Sequence, residues 1–181
     1  MELFEELIFW IDSNLALSLA PLILTLLIGQ KLFFKTLDVS NYYLAIRLFI
    51  LFFTFLNILY FFLDILFFNE LEAFIQRSSG PYGFIYGFLL FSSLFLPLSL
   101  FKKSWSQNGY YLLFIAVFLK IGWFFEKFVI ISTQLHRDYL PENEIIYSSI
   151  LNPFLEPFVK GFIVGLILIM VGMFRKKWLH K

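Results

Sequence analysis

Five apolar runs, at about residues 15–34, 43–68, 82–101, 110–132 and 154–174, dominate the chain. Each offers the ~20 residues that a helix needs to cross the hydrocarbon core of a bilayer. In hydrocarbon every backbone N–H and C=O must pair within the protein, which leaves only helices and closed barrels. The runs lack the period-two alternation of a barrel strand. The expected fold is therefore all-α and integral to a membrane: a single domain, residues 1–181, built as a five-transmembrane-helix bundle. Composition points the same way. Only 15% of the residues are charged and 27 are Phe, and a soluble domain could not hide so many rings without large exposed apolar patches.

The basic residues set an expected orientation. Lys31, Lys35, Arg47, Lys102, Lys103, Arg175, Lys176, Lys177 and Lys181 fall on one side of a five-span arrangement. Only Arg77 and Arg137 fall on the other. Because cytoplasmic loops collect Lys and Arg, the N-terminus is expected outside and the C-terminus in the cytoplasm. A four- or six-span arrangement breaks the alternation. Asp12-Ser13-Asn14 is suited to capping the first span, with residues 2–10 before it as a short amphipathic surface helix. Gly80-Pro81 and Asn152-Pro153 are expected to open the third and fifth spans. Pro21 and Pro97 are expected to kink the first and third. Gly161 and Gly165 make a GxxxG pair that permits close helix approach.

Some chemistries drop out. The chain has no Cys, and its histidines, His136 and His180, lie outside the apolar runs. Thiolate chemistry, iron–sulfur ligation and a haem held by paired helix histidines are not available. There is no basic stripe for nucleic acid. No catalytic residue or metal site is expected, and no cofactor is held by this chain alone.

Charges inside the spans carry the functional signal, because an ionisable group at membrane depth is costly and needs a partner. Asp64, Lys120, Glu126, Lys127 and Lys160 are the candidates for a buried ion pair or a proton path. At ~1.5 Å of rise per residue, Asp64, Glu126, Lys127 and Lys160 fall at a similar depth near the outer face. Neighbouring residues on a helix point ~100° apart, so Glu126 and Lys127 are expected to reach different helices. The expected pairs are Glu126 with Lys160 and Lys127 with Asp64. Lys120 lies deeper and needs an internal partner or a partner chain. Thr54, Asn57, Tyr60 and Asp64 share one face of the second span. Such a polar stripe either lines a hydrated path or proton relay or acts as interhelical hydrogen-bonding glue. His136, Arg137 and Asp138, in an outer loop, are candidates for docking an external subunit.

Residues 121–141, IGWFFEKFVIISTQLHRDYLP, resemble a block of the NrfD-like, polysulfide-reductase-C-like membrane subunits, closest to those of alternative complex III. The match runs through Trp123, Glu126, Lys127, Phe128, Val129, Ile130, Ile131, Leu135, His136, Arg137, Asp138, Tyr139, Leu140 and Pro141. Lys127 stands where the family pattern carries arginine. Over the rest of the chain the similarity is in hydropathy, and the spans fit the C-terminal half of a ten-helix member. The resemblance implies a membrane subunit of a quinol-oxidising respiratory complex in the bacterial cytoplasmic membrane. It would anchor periplasmic iron–sulfur and cytochrome subunits, contact other membrane subunits and lipids, and contribute a proton path. It implies a quinone at an interface, with no quinone site carried over to any residue here. A scaffold or assembly factor is the alternative, and an independent small transporter a weaker one, since no inverted repeat is present.

Overall fold

A computed structural model describes residues 2–33, 38–67, 71–102, 105, 107–135 and 144–179, with only the backbone path at 2, 67, 130–135, 144–154 and 175–179. The described residues form helices: α1 Glu2–Ile11, α2 Leu19–Leu32, α3 Ser40–Phe67, α4 Leu71–Ser79, α5 Gly83–Leu90, α6 Gly109–Leu119, α7 Ile121–Leu135 and α8 Glu144–Leu179. Four helical stretches are long and apolar enough to cross a membrane: Leu3–Leu32, Ser40–Leu66, Gly83–Phe101 and Leu155–Phe174. Such a chain suits a multi-pass membrane protein.

The first span differs from expectation at its start. The expected short helix over residues 2–10 is present as α1, but it runs on through the next turn into α2 instead of ending there, and Asp12-Ser13-Asn14 is not a cap. The apolar stretch runs from Leu3, and Asp12–Ala16 is a π-helical turn between α1 and α2. A π turn shifts hydrogen bonding from i→i+4 to i→i+5, and Leu17 N–H reaches Asp12 O at 3.2 Å. Short polar side chains take neighbouring carbonyls. The Ser13 hydroxyl donates to Phe9 O at 2.7 Å and the Asn14 amide to Trp10 O at 3.1 Å. The residues that resemble a cap satisfy an interruption instead. Pro21 follows in the first turn of α2, where its missing N–H costs little.

The third span repeats this device. After the turn at Gly80–Tyr82, where Gly83 N–H bonds Gly80 O at 2.9 Å, α5 passes into a π turn, Phe91–Phe95, and a 3-10 segment, Leu96–Phe101, with Pro97 near its start. Ser92 and Ser93 hydroxyls donate to Phe88 O and Leu90 O at 2.7 and 3.2 Å. Both prolines thus follow a departure from α geometry, as a kink requires. Arg47 closes the end of this span, its guanidinium donating to Leu100 O at 2.9 Å and Phe101 O at 3.2 Å.

The fourth run is broken. Asn108 caps α6, its side chain accepting from Tyr110 N–H. The helix then stops at Lys120, which has φ −111° and ψ 11°, and α7 begins one residue later. The helix holding the fifth run begins at Glu144, well before Asn152-Pro153. A short helix that the apolar pattern does not reveal, α4, joins the second and third spans. Its Phe74 ring meets Phe61 and Tyr86 edge-on at 5.9 and 6.0 Å.

The core lies where α2, α3, α6 and the third span meet. Ile23, Leu26, Ile50, Phe53, Leu100, Leu112 and Ile115 are fully buried there. The last helix docks chiefly on α2, and Gly161 and Gly165 make that docking possible. A Cβ on Gly161 would stand 2.3 Å from Ser18 O, and one on Gly165 would stand 2.7 Å from the Thr25 Cβ. The GxxxG pair is a seam within the chain.

Candidate functional site

Lys120 occupies the break in the fourth run, and the break aims it inward. The side chain is 10% exposed and forms an ion pair with Asp12, and its ammonium lies 5.2 Å from the Phe53 ring centroid. Asp12 reaches it because the π turn widens the first span at that level. Ending α6 with a 3-10-type bond, Lys120 N–H to Val117 O at 3.1 Å, turns the lysine toward that turn. Each half of the pair thus sits at an irregularity of its own span.

Beside the pair opens a cleft of about 520 Å³. Glu5 and Asp12 line it from the first span, Asn57, Tyr60 and Asp64 from α3, Ser93 from the second π turn, and Lys120 from the fourth run. Phe9 and Phe61 form apolar walls. Three of the four residues of the expected polar stripe therefore face one cavity. The fourth, Thr54, is fully buried, and its hydroxyl has no hydrogen-bond partner among the described residues. Asp64 enters no ion pair among the described residues, although apart from this stripe its helix is almost wholly apolar from Leu48 onward.

No family model, no curated protein and no solved structure matches this chain. What the site can do is read from its own geometry.

The expected pairings are corrected. Lys160 does not meet Glu126. Its ammonium lies 2.6 Å from Glu156 Oε1, one turn earlier on α8, and donates to Asn14 Oδ1 at 2.8 Å. Lys127 does not meet Asp64. It lies 3.6 Å from Glu126 itself and 6.0 Å from the Trp123 ring centroid. The ~100° between adjacent positions does not keep two long, flexible side chains apart. A helix that follows a break also need not keep the register assumed for an unbroken one. Asp64 instead shares the cleft with Lys120. His136, Arg137 and Asp138 lie outside the described residues.

Sequence reasoning missed Asp12, Asn14, Glu5 and Ser93. A usable signal existed for the first two, since Leu7 to Trp10 and Leu15 to Leu19 keep the chain apolar on both sides of them. A cluster inside one long apolar run is interior to a helix. Among the described residues, no three acidic or histidine side chains converge as a metal ion requires. The cleft gathers three carboxylates, an ammonium, a phenol, an amide and a hydroxyl around a space large enough for several waters.

Proposed function

We propose that this chain is a membrane subunit of a multi-subunit, quinol-oxidising redox complex, and that its cleft is part of a proton path. Asp64 is the observation that carries the second half. It is a carboxylate on an apolar membrane-length helix, on the wall of a cavity, without an ion-pair partner among the described residues. Intramembrane acids of this kind are characteristic of proton relays. Asp64 would exchange protons with water in the cleft, Tyr60, Asn57 and Ser93 would orient that water, and the Lys120–Asp12 pair would stabilise the charge that remains. The resemblance of residues 121–141 supports the first half.

In this reading the chain crosses the bacterial cytoplasmic membrane five times, with the N-terminus outside. The fourth crossing is the broken pair α6–α7, which together runs from Gly109 to Leu135, roughly 40 Å of helix. Companion chains hold the iron–sulfur, haem and quinone groups. The test is proton translocation by the complex reconstituted in sealed vesicles. Asp64→Asn is expected to slow proton movement about tenfold or more while the complex still assembles. Undiminished translocation would remove the relay and leave the chain a scaffold. A chain that purifies from its own membranes without haem or iron–sulfur absorbance would remove the complex as well.

A further inference from the structure

The last helix runs parallel to the first span. Gly161 abuts Ser18, Pro21 and Leu22, and Gly165 abuts Thr25, so residue numbers rise together along the seam. Beside the seam lies a slot of about 350 Å³, lined by Leu24, Thr25 and Ile28 from α2 and by Phe158, Val159 and Phe162 from α8. Both walls belong to membrane-length stretches, Leu3–Leu32 and Leu155–Phe174. The one hydroxyl among these six side chains, on Thr25, is already used, donating to Pro21 O at 2.7 Å. Ile28 and Phe162 are 51% and 52% exposed, so the slot stands open and asks for an apolar occupant.

The two ends of the slot differ in charge. At the Phe158 end, Lys160 pairs with Glu156 and donates to Asn14, so the charges there cancel. At the Ile28 end, the exposed Lys31 follows three positions later on α2, on the same face of the helix. With Gly165 opposite Thr25 and an equal rise in both helices, Lys31 comes level with roughly residue 171 of α8. That helix continues to Leu179 and carries Arg175, Lys176 and Lys177 just beyond this level. Two parallel helices thus bring their bases to one end of one apolar slot.

We propose that the slot is a phospholipid site, with an acyl chain along Leu24, Ile28 and Phe162 and an anionic headgroup at the end marked by Lys31 and the bases that follow on α8. Basic pockets between membrane helices hold acidic headgroups, and each Lys or Arg near the surface is worth about fivefold in affinity. Size and charge select the occupant. A transmembrane helix, ~10–12 Å across, is too thick to enter a slot of this volume, whereas a single hydrocarbon chain is not. A zwitterionic lipid would leave the bases uncompensated. In the orientation proposed above, the lipid belongs to the cytoplasmic leaflet. The site requires only that the chain lie in a membrane, and it stands whether or not the chain serves a redox complex.

The test is native mass spectrometry of the full chain, purified in mild detergent and offered phosphatidylglycerol or phosphatidylcholine with the same acyl chains. Phosphatidylglycerol is expected to be retained about tenfold or more over phosphatidylcholine. Lys31→Glu, at an exposed position outside the core, is expected to cut that preference about fivefold or more, and Lys31→Arg to keep it. Ile28→Trp, which fills the slot, is expected to abolish phosphatidylglycerol retention. Should that variant fail to fold, Val159→Trp on the opposite wall and Lys31→Glu decide. Equal retention of the two lipids, or a preference unmoved by Lys31→Glu, would overturn the site. So would undiminished retention in a folded Ile28→Trp or Val159→Trp chain, or a dimer that either tryptophan dissolves, which would put a second copy in the slot.

Discussion

At the scale of single residues, the Lys120–Asp12 pair should dominate stability. Lys120 is buried, so removing Asp12 strands its ammonium in a low-dielectric site, at a cost of about 3–5 kcal/mol; Asp12 is 31% exposed on the cleft, so removing Lys120 is expected to cost somewhat less. Removing both strands nothing. Lys120→Met and Asp12→Asn are each expected to lower the thermal unfolding midpoint in detergent sharply, and the double substitution to recover most of the loss. A thermal double-mutant cycle checks this, and additive losses would mean that the two groups do not interact. The need for a partner to Lys120 was legible in the sequence, because an ammonium buried in an apolar run has few other options. The partner's identity was not. Asp-Ser-Asn reads equally well as a helix start and as the lining of a π turn, since the same short side chains serve unpaired backbone groups in both.

At the scale of elements, helix contacts depend on where backbones come close. The seam between α2 and the last helix tolerates no side chain at Gly161, where a Cβ would meet a backbone carbonyl. Gly161→Ala is expected to cost about 1–3 kcal/mol as the helices are forced apart. Gly87→Ala makes the contrasting case, because nothing lies within 4 Å of its would-be Cβ. There the better helix propensity of alanine should be neutral or add up to about 1 kcal/mol. Unfolding midpoints of the two variants measured side by side give the comparison, and equal effects would contradict the close approach. The glycine spacing was visible in the sequence, whereas its partner was not, because spacing reveals a smooth face without revealing what lies on it. The second and third spans were legible to within a few residues from run length alone. The break at Lys120 was not, because apolar residues on both sides of one lysine give the same hydropathy whether the helix continues or stops.

At the scale of the whole molecule, the number of crossings decides where the ends lie. Four crossings place both termini on one side, and five place them on opposite sides. Reporter fusions at each end, or impermeant labelling of cysteines introduced there, are expected to find the N-terminus outside and the C-terminus in the cytoplasm. Finding both on one side would show that α6 and α7 do not jointly cross. The all-helical architecture was legible because hydrocarbon restricts backbone geometry so severely, while the fate of the charges was not, because pairing depends on local irregularities that periodicity smooths away. The break between α6 and α7 has a mechanical consequence. One half packs into the core and the other meets few of the described residues, a geometry that would let α7 act as a lever pivoting at Lys120. Its fifteen residues make an arm of about 22 Å, and a swing of about 10° would carry its tip about 4 Å. Anything that grips the arm's far end would tug on the fulcrum that Asp12 holds.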